Sequence, residues 1–334
     1  MSDAAPWRRP AYDGANSPYR HAARPSDDVP DYRTLTYEVD GRVARLSFNR
    51  PEQGNSITPD TPVELADAVE RADLDPRVHV IVLSGRGKGF CGGYDLAASA
   101  EGLMEGGYAG ADPRTGTVLD PAVLAANHDP AGTWDPMVDY AMMSRFTKGF
   151  ASLLHADKPT VAKIHGFCVA GGTDIALHCD QIVIAADAKI GYPPTRVWGV
   201  PSAGMWAHRL GDQRAKRLLL TGDCLSGREA AEWGLAIEAP SPEELDERTE
   251  VLVQRIAAMP LNQLIMVKLA LNSALLAQGV ENSRMISTVF DGIARHTREG
   301  YAFQQRAADV GFRQAVRERD AAPYDDAGPS TNKG

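Results

Sequence analysis

An α/β fold is predicted by three features of the sequence. Two β-branched runs, residues 78–83 and 159–164, each end in a cluster of glycines. The second cluster is followed within a few residues by an apolar helical pattern, which makes a strand–turn–helix unit. From about residue 205 onward the periodicity is helical, so a mixed core should precede a helical C-terminal region. With 334 residues, 43% of them hydrophobic, the chain can bury the core of one large domain or of one domain with an appendage.

Composition narrows the classes of partner. A formal charge of -9 argues against nucleic acid and anionic membranes as ligands, although a local Arg/Lys patch could still hold a small anion. The four cysteines, Cys91, Cys168, Cys179 and Cys224, show no CxxC spacing and no disulfide framework, so a reduced cytoplasmic setting is expected. No run of about 20 apolar residues is present to span a bilayer. The N-terminal stretch lacks the apolar segment of a secretory signal.

Residues 1–30, rich in Pro, Ala, Asp, Arg and Ser, read as a flexible leader. Residues 34–48 form a predicted hairpin with Asp40 and Gly41 at the turn. An irregular loop follows, and Thr58 with Pro59 should open a helix as N-cap and first position. Val63, Leu65, Ala66 and Val69 would form its apolar face, and it should stop near Asp75. Residues 78–83 are too short and too β-branched for a helix and are assigned to an interior strand. The core, residues 31–225, is expected to carry an inserted loop at about 97–135, rich in Gly, Asp and Pro, in the place a lid or binding loop would occupy. Residues 137–154 are an amphipathic helix, 160–164 and 181–185 are strands, and 190–201 form a proline-braced loop. Helices are expected within 205–210, 213–220, 227–233, 242–259, 262–278 and 280–296. Residues 226–318 are taken as the helical C-terminal region and 319–334 as a frayed tail.

The chemistry is expected where the two strands meet their glycines, at Gly85-Arg-Gly-Lys-Gly-Phe-Cys-Gly-Gly-Tyr-Asp-Leu96 and His165-Gly-Phe-Cys-Val-Ala-Gly-Gly-Thr-Asp174. Glycine lets a ligand approach the backbone closely. Two such strand ends can aim amide N–H groups at one carbonyl oxygen that becomes negative during a reaction.

These pieces, in this order, resemble the crotonase superfamily, the enoyl-CoA hydratase and isomerase group. The similarity is carried by Asn49-Arg-Pro-Glu-Gln-Gly-Asn-Ser-Ile-Thr58, Gly89-Phe-Cys-Gly-Gly-Tyr-Asp-Leu96, the run from Lys158 to Asp174, Leu219-Leu-Leu-Thr-Gly-Asp223 and Glu229-Ala-Ala-Glu-Trp-Gly-Leu235, and it covers roughly residues 33–315. The resemblance implies a stack of ββα units with a helical trimerisation region, in a homotrimer or a dimer of trimers. It implies an acyl-coenzyme A thioester as substrate, with coenzyme A entering as part of the substrate and no metal or redox cofactor. It assigns the oxyanion donors to the N–H groups of Tyr94 and Gly171, and the coenzyme A contacts to Gln53, Ser56, Ile57, Gly93 and Asp95.

The acid–base pair of the family's hydratases is only half represented. Its first carboxylate position matches Asp174, one methylene shorter than glutamate, while the second falls on Pro194, which carries no proton. Asp174 could serve as base to a water or to an α proton, or could simply cap the N–H groups of a helix start. Tyr192 is a candidate acid in place of the missing partner. Arg196, a poor proton donor, could pair with Asp174 or bind a substrate carboxylate. His165 is expected to point away from the site, Cys91 and Cys168 to fill core, and Asp95 to hold its loop. Hydration of a 2-enoyl-CoA is the leading expectation. Double-bond isomerisation, thioester hydrolysis and non-catalytic acyl-CoA binding are the alternatives.

Overall fold

A computed structural model describes residues 29–95 and 121–321. All but the last two residues of the expected leader lie outside them, as do 97–120 of the inserted loop and 322–334 of the tail.

The predicted hairpin is present as β1 (Leu35–Asp40) and β2 (Val43–Phe48), paired antiparallel from Leu35 opposite Phe48 to Asp40 opposite Val43. Gly41, at φ +58°, makes the turn in the left-handed region that glycine enters without penalty. β3 (Val80–Gly85), β4 (Thr160–Ile164) and β6 (Gln181–Ile184) then add in parallel, giving the order β1-β2-β3-β4-β6. Residues 80–83 of β3 are all buried, which explains their continuous apolar run: an interior parallel strand is covered on both faces. A second sheet, β5 (Phe167–Val169), β7 (Lys189–Gly191) and β8 (Cys224–Ser226), is built from three-residue strands that were not foreseen. Strands that short leave no alternation to read.

Helix α1 (Asp60–Leu74) packs against α3 (Pro136–His155). Two expectations for α1 need correction. The helix begins after Pro59, and Thr58 does not cap it with its side chain; instead the Thr58 N–H donates to Thr61 Oγ1 at 3.0 Å. Val63 is 55% exposed, and the buried stripe runs through Pro62, Leu65, Ala68, Val69 and Ala72. The segment expected to be an irregular loop through residue 135 contains α2 (Pro121–His128), hidden among Pro, Asp and Asn turn residues.

After α4 (Gly171–Ala176), the helices α5 (Ala203–Leu210), α6 (Asp212–Leu219), α7 (Gly227–Trp233), α8 (Leu245–Ala257), α9 (Leu261–Ala277) and α10 (Val280–Ala294) follow the predicted spans closely. α7 opens with a full capping box between Ser226 and Glu229. α10 returns across α3 and α5, which carries C-terminal side chains back over the core. Two further helices, α11 (Arg298–Val310) and α12 (Phe312–Asp320), pack on each other, and α12 touches the 3-10 turn at Pro193–Arg196. Arg319 therefore belongs to a helix rather than to a tail. No single helix among the described residues is long and apolar enough to cross a membrane.

Candidate active site

Three loops converge at the ends of the parallel strands. In the first, after β2, Asn55 sits at φ +55° with its buried side chain used three ways. Its Oδ1 accepts the Arg50 N–H, and its Nδ2 donates to Arg86 O and Gly89 O, all at 2.9 Å. One amide thus ties the first loop to the second. Arg50 adds a second tie. Its guanidinium donates to Ser56 O and to Asp95 Oδ2, the latter at 2.8 Å, and Ser56 Oγ donates to the same carboxylate oxygen at 3.0 Å.

That bracing sets the backbone at Tyr94. Ile57 and Tyr94 form a parallel bridge, in which the Ile57 N–H donates to Gly93 O at 2.8 Å and the Asp95 N–H to Ile57 O at 2.9 Å. In a parallel pair the central residue of the bonding triplet directs its own N–H the other way. The Tyr94 N–H therefore faces away from Ile57, and it is not donated to a backbone oxygen among the described residues. The expected second donor, Gly171, is the first residue of α4, and a first-turn N–H has no partner within its own helix. The preceding Ala170 holds φ +52°, ψ −132°, a costly conformation for a residue with a side chain, and its N–H is pinned to Gly191 O at 3.1 Å. The two loops touch: a Cβ on Gly93 (φ +96°) would lie 3.5 Å from Gly171 N, and one on Gly171 would lie 2.8 Å from the Tyr94 ring.

One turn into α4, Asp174 is buried, and its Oδ1 accepts the Ser202 N–H at 2.7 Å. Burial pushes its carboxyl up to about 7, an effect opposed by the Ser202 N–H and reinforced by Asp291. The buried His178 donates from Nδ1 to the Asp174 carbonyl at 2.5 Å, a bond within the frame of α4 rather than to the carboxylate. Tyr192 is buried on the same small cavity, which Tyr94, Asp174, Ser202 and Asp291 also line. Burial, with Asp174 and Asp291 nearby, holds its phenol well above the usual range, so the hydroxyl stays protonated.

The remaining predicted residues separate cleanly. Gln53 ends an exposed 3-10 turn at Pro51–Gln53, Ile57 is buried at the bridge, and Ser56 and Asp95 are engaged by Arg50. Asp95 does hold its loop, but through the Arg50 and Ser56 side chains rather than through backbone groups alone. Arg196 neither meets Asp174 nor faces the cavity: it pairs with Asp223 at 3.2 Å and reaches Asp320 O at 3.3 Å. Pro194 lies in the 3-10 turn beside it. His165 is turned outward, its Nε2 on Gly87 O at 2.8 Å. Cys91 and Cys168 form a backbone bridge, and burial pushes both thiols up, as suits core filling. No group of three or more His, Cys, Asp or Glu side chains suited to a metal ion occurs among the described residues.

Asp291 was not foreseen. Its side chain, only 12% exposed, projects from α10 into the cavity, accepts the Val200 N–H at 2.9 Å and pairs with Arg295 at 3.4 Å. The available signal was weak: a carboxylate on the helical face that carries Ser287 and Thr288, four residues before Arg295.

Comparison with known proteins identifies the family. The family model described as Enoyl-CoA hydratase/isomerase matches residues 38–113 and 133–308. A crystal structure titled enoyl-CoA hydratase from Mycobacterium smegmatis is 68% identical, with a TM-score of 0.80, over 86% of this chain and 93% of that one. The (E)-benzylidenesuccinyl-CoA hydratase of Thauera aromatica is 30% identical over 84% of this chain and 99% of its own length. A probable enoyl-CoA hydratase of Rhizobium meliloti is 29% identical over 76% and 88%. The chain belongs to the enoyl-CoA hydratase/isomerase family of the crotonase superfamily. Its ββα units and C-terminal helical bundle are the architecture of that group.

Proposed function

We propose that the protein is an enoyl-CoA hydratase, a lyase that adds water across the 2,3 double bond of an enoyl-CoA thioester. The observation that carries this reading is the pair of N–H groups, Tyr94 and Gly171, that donate to no backbone oxygen among the described residues and are set beside the buried carboxyl of Asp174. A thioester oxygen received by both donors would become an enolate oxyanion as water attacks the β carbon. Each preorganised donor of this kind is worth about 2.7–4 kcal/mol in the transition state. Asp174, three residues beyond Gly171, exchanges the proton at the α carbon. Tyr192 contributes a neutral hydroxyl to the same cavity. Coenzyme A is part of the substrate, with Gln53, Ser56, Ile57, Gly93 and Asp95 along its path. Of these, Ser56 and Asp95 act by holding the loop through Arg50.

The assembly we propose is a homotrimer or a dimer of trimers. Its support is the apolar surface of α9 and α10, where Met266, Leu269, Leu271, Met285 and Phe290 are exposed. An apolar surface of this extent is best covered by another subunit. Four free thiols fit the cytoplasm as the working compartment.

The test is a panel of 2-enoyl-CoA thioesters of different chain length, followed by loss of the conjugated thioester absorbance and by mass spectrometry of the product. Addition of one water to the intact thioester supports hydration. A shifted double bond without mass change assigns isomerisation, and release of free coenzyme A assigns hydrolysis.

A further inference from the structure

We propose that Asp291 is the second proton-transfer carboxylate of this site, the water-activating partner of Asp174 that the proline at 194 fails to supply. The inference rests on the hydratase reading and names a residue that reading does not contain.

Three observations carry it. Asp174 and Asp291, from α4 and α10, line one small cavity together with Tyr94, whose N–H faces the proposed oxyanion position. Their anchors are adjacent. The Ser202 N–H holds Asp174 at 2.7 Å and the Val200 N–H holds Asp291 at 2.9 Å. Those nitrogens are two residues apart, so they cannot be separated by more than about 7 Å. The pair is also electrically unequal. Arg295 stands 3.4 Å from Asp291 and opposes the burial that raises its carboxyl, whereas the described hydrogen-bond donors to Asp174 are neutral, the backbone and side chain of Ser202. Burial raises both carboxyls, and a cation beside only one of them is the difference that can divide a base from an acid.

The position of the missing acid adjoins the same corner. A Cβ on Gly199 would lie 3.0 Å from Pro194 Cβ and 3.5 Å from the Tyr192 hydroxyl, and the next residue, Val200, is the one that holds Asp291. Asp291 thus reaches from the C-terminal helices the corner that the 193–196 turn leaves without a carboxylate.

The step balances without a co-reactant. The Asp291 carboxylate takes one proton from water as the hydroxide oxygen bonds to the β carbon. The double-bond electrons move to the thioester oxygen as an enolate. Protonated Asp174 then delivers its proton to the α carbon and the carbonyl reforms. The proton gained by Asp291 returns to Asp174 across the cavity, which resets the pair.

The experiment separates hydration from α-proton exchange. In D2O, Asp291→Asn should lower the hydration kcat about 100-fold or more while deuterium still enters the α carbon of a saturated acyl-CoA at about the wild-type rate. Asp174→Asn should lose both reactions. Asparagine can still accept the Val200 N–H, which favours folding. If D291N nevertheless does not fold, Arg295→Gln gives the second reading, with hydration down about tenfold and exchange unchanged. Hydration at the wild-type rate in D291N overturns the proposal, as does equal loss of hydration and exchange. A wild-type protein that exchanges the α proton but hydrates none of the thioesters overturns the hydratase reading itself, and the role of Asp291 with it.

Discussion

Ile57 and Tyr94 meet in a parallel bridge that spends the N–H of Ile57 and of Asp95 and leaves that of Tyr94 directed away. The proposed oxyanion donor is created by the pairing of its neighbours, so on this reading the site depends on loop bracing as much as on the residues nearest the substrate. The consequences can be measured one at a time.

Gly93→Ala should impair catalysis by moving the donors. At φ +96° the new Cβ is conformationally strained and falls 2.7 Å from the Ala170 Cβ, next to Gly171 N. Loss or misalignment of one donor predicts a kcat lower by roughly 10²–10³-fold. Steady-state kinetics, with direct titration of a non-reactive acyl-CoA to follow binding, would check it. A kcat within error of wild type would remove the assigned donor geometry.

Asn55→Ala should act mainly on stability. It leaves the buried Gly89 carbonyl, together with Arg86 O and the Arg50 N–H, without their side-chain partner. Stranded buried polar groups predict a loss of about 2–4 kcal/mol, measurable by urea unfolding at constant m-value.

Asp174→Asn should stabilise the fold at alkaline pH while removing activity. The folded-state carboxyl of Asp174 titrates at about 7, above the unfolded value near 3.9. The folded protein thus holds a proton that the unfolded chain releases. Stability from this group is complete below the unfolded value and falls as pH rises, until the loss is full above about pH 7. The asparagine variant lacks that loss. Relative to wild type it should unfold at a higher temperature at pH 8, with the gap closing toward pH 4. A pH-independent difference in melting temperature would contradict the assignment.

Leu271→Glu, on the exposed apolar face of α9, should break the assembly rather than the subunit. Sedimentation should show a smaller species with unchanged far-ultraviolet dichroism. Wild-type protein that sediments as a monomer would remove the proposed trimer.

The division between what could and could not be read from the sequence follows the range of the interactions. The hairpin at Gly41, the strand expected at 78–83 and found two residues later at 80–85, and the helices between residues 203 and 294 are set by neighbours within a few positions, and the helix spans matched closely. The two glycine loops were readable for the same reason: a strand end, glycine and a helix start are consecutive in the chain. Helix α2 and the three-residue strands β5, β7 and β8 carry too few residues for a period to emerge. Asp291 escaped notice because its significance depends on α10 crossing α3 and α5, a relation created only by tertiary packing. Arg196 failed in the opposite way. Nearness in sequence to Pro194 suggested a role, but Asp223 and Asp320 hold it elsewhere.

The most direct test of the hydratase assignment compares wild type with Asp174→Asn on a short 2-enoyl-CoA, measuring binding and turnover on the same preparations. Wild type should consume the conjugated thioester and yield its water adduct, while D174N should bind the thioester comparably and turn over at least about 100-fold more slowly. Equal turnover by the two proteins, or binding by wild type with the double bond left intact, would contradict it.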